Sequence, residues 1–238
     1  MTNFATIEDI KISIDSMDES VQVVKSSLQE KKPLRVVTIN PEILIAALQE
    51  PEFMSSIQKA DLIVPDGIGV VFLLKFRGYS IHSRVPGIEL AWNTLTLANQ
   101  QKLNLALWGS STESLKGASL KIKETFPNIN LIFERDGFSD NDDEALNQII
   151  SANPDLLFLA LPFTKQERMA AKLQTLGFRG VIFGLGGSFD VWAGNVQRAP
   201  KIFRTLHLEW FWRVLLQPQR LTRLSQILIP FFALFLKK

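Results

Sequence analysis

RVVTINPEILIAALQEPEFMSSIQKADLIVPDGIG, residues 35–69, holds two apolar strands, each running into polar groups. Leu34–Ile39 reads as a buried strand, with Thr38 near its end and Asn40 just past it. Leu62–Val64 reads as a second, followed by Pro65, Asp66 and the glycines Gly67 and Gly69, which let the backbone turn tightly. Between them Pro41 stands where a helix can begin, with Asn40 as its N-cap and Glu42 in the first turn. Ile43, Leu44, Ala47 and Leu48 give that helix its apolar face, Pro51 stops it, and Glu52–Ala60 makes a second helical segment. In an open α/β sheet, ligands bind in the crevice beyond the carboxyl ends of the strands. Thr38, Asn40 and Asp66 are therefore candidates for chemistry, although capping explains Asn40 and a turn explains Asp66 equally well from spacing alone.

The same alternation continues on both sides of this stretch. Upstream, residues 6–32 read as one short strand (Ile7, Ile10, Ile12, Ile14) and a helix with Val21, Val24 and Leu28 on one face, a lead-in to the sheet. Downstream, Val70–Arg77 reads as a helix, and Arg84-Val-Pro-Gly-Ile-Glu89 opens another. The strand Leu103–Trp108 enters Gly109-Ser-Ser-Thr-Glu113 and an amphipathic helix, so that Gly109 and Ser110 lie in a turn suited to cradling phosphate. Asn130–Phe133 and Leu156–Leu161 read as strands flanking a helix over Asp142–Ala152. A last helix up to Gly177 precedes the strand Gly180–Phe183 and the turn Gly184-Leu-Gly-Gly-Ser-Phe-Asp190. Strands alternating with helices in this way predict a Rossmann-like α/β fold: a mostly parallel sheet covered by helices on both faces.

Composition narrows the function classes. Apolar residues at 46% and charged residues at 21% are those of a globular chain, and 238 residues suffice for a large core. The absence of cysteine excludes disulfides and thiolate metal sites, and with two histidines an imidazole metal site is not expected. The net charge of +2 conceals an asymmetry: from Arg198 onward eight basic residues face the single acid Glu209, leaving +7 on the tail and −5 on residues 1–197. The expected division is an α/β catalytic core over 1–197 and a basic, aromatic-rich helical appendage over 198–238. A basic tail on an acidic body predicts an anionic partner. Arg213, Arg220 and Arg223, spaced by seven and three, share one helical face if Pro218 only kinks or restarts the helix.

The apolar run Ile227–Leu236 is interrupted by Pro230 and falls short of the ~20 residues of a spanning helix, so it is expected to lie on a membrane instead of crossing it. A nucleic-acid groove gains nothing from such a run, and the plain alternative is a terminal helix packed on the core. Glu8, Asp9, Asp15, Asp18 and Glu19 near the start do not resemble a secretory leader, which predicts a protein on the cytoplasmic side. Gly184–Ser188 lacks the dinucleotide-loop spacing and the Walker pattern is absent. Asp140-Asn141-Asp142 has the spacing of a metal-binding acid pair but sits directly before a helix, where acids favour the dipole.

The motifs Thr38-Ile-Asn-Pro-Glu42, Ala60-Asp-Leu-Ile-Val-Pro-Asp-Gly-Ile-Gly69, Arg84-Val-Pro-Gly-Ile-Glu89, Lys165-Gln-Glu167, Gly186-Gly-Ser-Phe-Asp190, Arg198-Ala-Pro200 and Leu208-Glu-Trp210 resemble, in order and spacing, the WecG/TagA/CpsF family of glycosyltransferases. The resemblance runs from about residue 7 to about residue 224. It implies an inverting, metal-independent enzyme without cofactor that moves a hexose-type sugar (N-acetylmannosamine, its uronic acid, or the glucose class) from UDP to a polyprenyl-diphosphate-linked saccharide in cell-surface polysaccharide synthesis. It implies Asp66 as general base with Thr38 and Asn40 beside the reacting sugar. Arg84, Gly109, Ser110, Lys165, Gln166, Gly186, Gly187 and Ser188 are then expected on the substrates, and Arg213, Arg220 and Arg223 over the diphosphate. Such an enzyme is expected to be peripheral on the inner face of the cell membrane, to bind no nucleic acid, and to be compatible with a homo-oligomer. The loop Leu161-Pro-Phe-Thr164 departs from the glycine-containing pattern of the family and is expected to crowd the donor. That departure motivates the alternative of a non-catalytic sugar-nucleotide or lipid-phosphate binding scaffold in a polysaccharide assembly complex.

Overall fold

A computed structural model describes residues 3–138, 140–205, 208–216 and 220–236. The fold is mixed α/β, a central sheet with flanking helices. Its six strands are β3 (Leu34–Ile39), β4 (Leu62–Pro65), β5 (Asn104–Gly109), β6 (Asn130–Arg135), β7 (Leu156–Ala160) and β8 (Val181–Gly184), in the order β4-β3-β8-β7-β5-β6. Every neighbouring pair in this sheet is parallel. All carboxyl ends therefore open on one edge of the sheet, where Thr38, Asp66, Gly109 and Gly186 gather from four different strands.

Alternation along each strand splits the core in two. Leu34 and Val36 of β3, Leu62 and Val64 of β4, Leu105 and Leu107 of β5 and Phe158 of β7 share one apolar cluster. That cluster takes in α1 (Met17–Glu30), α5 (Gly87–Gln101) and α6 (Thr112–Thr125). Val37, Ile39 and Ile63 face the other way, under α2 (Pro41–Gln49), α3 (Pro51–Gln58) and α4 (Ile68–Phe76). On the same side, Ala106, Trp108, Leu157, Leu159 and Ile182 pack under α7 (Asp142–Ala152) and α8 (Phe163–Thr175). A strand buried on both faces needs a continuous apolar run, which is what β4 and β7 supply, while β3 is buried throughout with Arg35 and Thr38 in its run.

The N-terminal expectation is corrected. Instead of one strand leading into the sheet, β1 (Phe4–Ile7) and β2 (Ile10–Ser13) form a separate antiparallel hairpin. Glu8 and Asp9 at its tip both have positive φ, 47° and 68°, the primed turn that matches strand twist. Ile7 and Ile10 thus face each other across a turn that carries no glycine. Ser16 and Glu19 then close a reciprocal capping box at the start of α1.

After the five-residue helix α9 (Ser188–Trp192) the chain forms α10 (Lys201–Thr205), α11 (Glu209–Leu216) and α12 (Arg220–Leu236). The shared arginine face is not realised as one helix: Arg213 belongs to α11, Arg220 and Arg223 belong to α12, and Pro218 lies outside the described residues. Within α12, Phe231 and Leu234 are buried against α2 and α4, while Ile229, Phe232 and Leu236 are exposed. Arg77, at the end of α4, donates to Glu8 Oε1 and to the Leu234 carbonyl, joining the hairpin tip to the last helix. Among the described residues no helix is long and apolar enough to cross a membrane.

Candidate active site

The site begins with the two neighbouring strand ends that the sequence singled out. Thr38 pairs in register with Val64 and Ile39 with Pro65, so Asn40 and Asp66 emerge side by side. The Asp66 N–H donates to the Ile39 carbonyl at 2.9 Å, which carries the ladder one residue past the strand. Gly67 is required by this closeness, since a Cβ there would lie 2.8 Å from Pro41 Cδ and 3.2 Å from Asn40 Cβ. Asn40 Oδ1 accepts the Ile43 N–H at 2.9 Å and caps α2. Thr38 is buried and its Oγ1 donates to the Gly184 carbonyl at 3.2 Å, linking β3 to the end of β8. Gly87 opens α5 directly against it, with room for no Cβ: one would fall 2.5 Å from Thr38 Cγ2. Thr38, Asn40 and Asp66 are therefore brought together.

Arg84 reaches the same edge because the Val85 N–H donates to the Pro65 carbonyl at 2.8 Å, laying the loop alongside Asp66. Both terminal nitrogens of Arg84 donate to one carboxylate oxygen of Glu209 on α11, at 3.2 and 3.1 Å, with both side chains largely buried. Arg198 and Glu89 make a second tie between the segment before α10 and α5. The side chains of Arg213, Arg220 and Arg223 lie outside the described residues.

On the β5 side, Gly109 has φ +136° and a Cβ there would fall 2.4 Å from the Ala160 backbone, so the close approach of β5 and β7 needs glycine. Ser110, at φ 58°, donates its N–H to the Ala160 carbonyl and its hydroxyl to Asp190 Oδ1, each at 2.8 Å. Ser111 caps α6 by accepting the Ser114 N–H. At the end of β8, Gly186 has φ +50° and its N–H donates to Gln166 Oε1 at 2.9 Å. Gly187 and Ser188 follow, with the Ser188 hydroxyl donating to the Leu185 carbonyl at 2.7 Å.

Gln166 is buried, and its Nε2 donates to Glu167 Oε1 at 2.9 Å. Burial pushes the Glu167 carboxyl above the usual carboxylate range, against the opposing pull of the Gln166 hydrogen bond and of the Arg35 charge. Arg35, wholly buried in β3, is lowered by the same loss of water, opposed by Glu167 and Asp61. Sequence reasoning placed Glu167, Asp190 and Glu209 only within motifs. Ser110 and Arg84, the partners of Asp190 and Glu209, are distant along the chain, as is the Arg35 charge that acts on Glu167, and no periodicity announces such meetings.

Lys165 stands apart: its ammonium lies 2.8 Å from Asp142 Oδ1 at the start of α7. The Asp140-Asn141-Asp142 stretch is a helix start, with Asn141 Oδ1 accepting the Glu144 N–H at 3.0 Å. Among the described residues no group of three or more His, Cys, Asp or Glu side chains could hold a metal ion. In the loop Leu161–Thr164, Pro162 is exposed and Thr164 half-buried. Leu161 is buried in the cluster under α7 and α8, and the Phe163 ring packs edge-on against Phe53, 6.0 Å between centroids.

Comparison with known proteins agrees with the motifs. The model of the glycosyl transferase WecG/TagA/CpsF family matches residues 5–238. The N-acetylglucosaminyldiphosphoundecaprenol N-acetyl-beta-D-mannosaminyltransferase of Bacillus subtilis (strain 168) is 36% identical over 214 residues, 90% of this chain and 83% of that protein. The protein of the same name from Bacillus spizizenii (strain ATCC 23059 / NRRL B-14472 / W23) is 38% identical over 200 residues, 84% of this chain and 78% of its own. Its namesake in Staphylococcus aureus (strain NCTC 8325 / PS 47) is 32% identical over 231 residues, covering 95% and 91%.

Proposed function

The chain belongs to the glycosyl transferase WecG/TagA/CpsF family, and from that premise we propose that it transfers N-acetylmannosamine, or a closely related hexose, from UDP to a lipid-diphosphate-linked saccharide. The names of the relatives from Bacillus and Staphylococcus support both the N-acetylmannosaminyl donor and the polyprenyl-diphosphate acceptor. The observation that carries the reading is the placement of Asp66 beside Thr38 and Asn40 at two adjacent, register-paired strand ends.

Asp66 takes the proton of the acceptor hydroxyl as its oxygen attacks the anomeric carbon, with inversion there and UDP leaving from the opposite face. Charge gathers on the departing diphosphate. The tail residues Arg213, Arg220 and Arg223 supply guanidinium groups for it, with Arg84 at the same edge of the site, so no metal is needed. The turns at Gly109–Ser110 and Gly186–Ser188, with Gln166, hold the donor at the ends of β5 and β8. Lys165 and Arg84 are the weakest members of this set, because Asp142 holds the ammonium and Glu209 holds both terminal nitrogens of the guanidinium.

The sheet order, with every carboxyl end on one edge, supports a Rossmann-like assignment for a catalytic core over 1–197, with 198–238 as the appendage. The exposed apolar residues of α12 support a peripheral seat on the inner face of the cell membrane, where the acceptor resides. The family match and the named activity of the relatives favour the enzyme over the inactive scaffold.

The test is Asp66→Asn, which keeps the shape but cannot take the proton. With UDP-N-acetylmannosamine and a lipid-diphosphate saccharide, turnover should fall by about 10²–10⁴-fold while donor affinity persists. Turnover near wild type removes Asp66 from the role of base.

A further inference from the structure

Beneath the glycine turn after β8 lies a buried polar chain that reaches well behind the donor contacts. Gln166 stands at its centre, 3% exposed, with Oε1 on the Gly186 N–H and Nε2 on Glu167 Oε1. Space for this arrangement is built into β8. A Cβ on Gly184 would fall 2.4 Å from Gln166 Nε2 and 2.5 Å from Glu167 Oε1. The same Gly184 receives Thr38 Oγ1 on its carbonyl, so this residue touches both the catalytic strand end and the polar chain.

We propose that Glu167 is a positioning residue of the donor site: by accepting from Gln166 Nε2 it fixes the orientation of that amide, so that Gln166 Oε1 holds the Gly186 N–H and the turn at Gly186–Ser188. A carboxamide has two faces of opposite character. If the amide were reversed, its NH2 would meet the Gly186 N–H, donor against donor, and the turn would lose its anchor. The acceptor at 167 forbids that reversal, and Oε1 serves whether or not Oε2 carries a proton. Glu167 is itself held in place, since its carbonyl accepts the Ser56 hydroxyl at 3.1 Å. The counter-charge is Arg35, which donates to the Ser56 carbonyl and is fixed through its own N–H on Asp61 Oδ2 at 2.8 Å. The chain thus crosses from β3 through α3 and α8 to the end of β8.

A buried arginine and glutamate could equally serve packing alone, and replacing such a pair by neutral residues often costs little stability. The decisive comparison is between R35M/E167Q and R35M/E167L, which remove the same two charges and differ in whether position 167 can accept. Glutamine should preserve slow hydrogen exchange at the Gly186 amide and most of the donor affinity. Leucine should speed that exchange at least tenfold and raise KM for the UDP-sugar at least tenfold, with a smaller change in kcat. Equal behaviour of the two proteins, in exchange and in KM, overturns the proposal. Should Arg35→Met prevent folding, the single substitutions Glu167→Gln and Glu167→Leu make the same comparison. The inference rests on the donor reading of the β8 turn, and Gln166→Ala separates the two. Lost Gly186 protection with an unchanged KM defeats the donor assignment alone, whereas retained protection defeats the positioning chain.

Discussion

Asn40 Oδ1 accepts the Ile43 N–H, and this bond uses none of the amide's own N–H donors. One side chain can therefore cap α2 and still present donors to a sugar at the strand end. Replacement by serine keeps a good N-cap, whereas alanine loses it at a cost of about 1 kcal/mol. Asn40→Ser should therefore melt within a degree or two of wild type yet lose at least tenfold in sugar transfer, and Asn40→Ala should lose both. Full transfer by the serine variant would reduce Asn40 to a cap. The cap was legible in the sequence because Asn-Pro-Glu after a buried strand is a local signal. The partner of Thr38 and the charge acting on Glu167 were not, because the Gly184 carbonyl and the Arg35 guanidinium come from distant strands and are supplied only by folding. The same holds for Ser110, whose hydrogen bond to Asp190 spans 80 residues of chain.

Most elements were legible because each buried strand is an apolar run between punctuating residues: β3 coincides with the expected Leu34–Ile39 and α7 with Asp142–Ala152. The failures have physical causes. The β1–β2 turn uses Glu8 and Asp9 in a left-handed conformation without the usual glycine or asparagine, so four isoleucines read as one strand. Helix α9 is too short, at five residues, to show a period. Helix α11 depends on a contact that spans 125 residues, the fork of Arg84 on Glu209. Hydrogen bonds to charged groups contribute about 1.5–3 kcal/mol each, so this pair is expected to dominate the docking of α11 on the loop before α5. Glu209→Ala should speed hydrogen exchange in 209–216 by tenfold or more while β3 and β8 exchange as before. Unchanged exchange in α11 would show that its docking rests on other contacts.

At the scale of the whole molecule, α12 carries one apolar face that is buried and one that is exposed. Phe231 and Leu234 complete the cluster over α2 and α4, and the fit is close: a Cβ on Gly69 would fall 3.3 Å from the Phe231 ring and 2.8 Å from Pro41 Cγ. The last helix thus buttresses the loop that carries Asp66, and the alternative of a terminal helix packed on the core holds for this face. Ile229, Phe232 and Leu236 point away, and Phe72 and Phe76 of α4 are exposed too, with the Phe76 and Phe235 rings 5.2 Å apart. An apolar surface shared by a core helix and the terminal helix fits a bilayer seat, which needs a planar spread of side chains more than a deep groove. The two faces predict opposite phenotypes. Phe231→Ala should cost about 3–5 kcal/mol, as truncation of a buried phenylalanine does, and lower Tm markedly. Ile229→Ser with Phe232→Ser should leave Tm within a few degrees but cut binding to anionic phospholipid vesicles at least tenfold, since each apolar side chain withdrawn from water contributes about 1.5–3 kcal/mol. Transfer to a water-soluble acceptor analogue should survive in that double variant while transfer to the lipid-linked acceptor falls. Unaltered vesicle binding would mean that the exposed face of α12 is not what seats the enzyme.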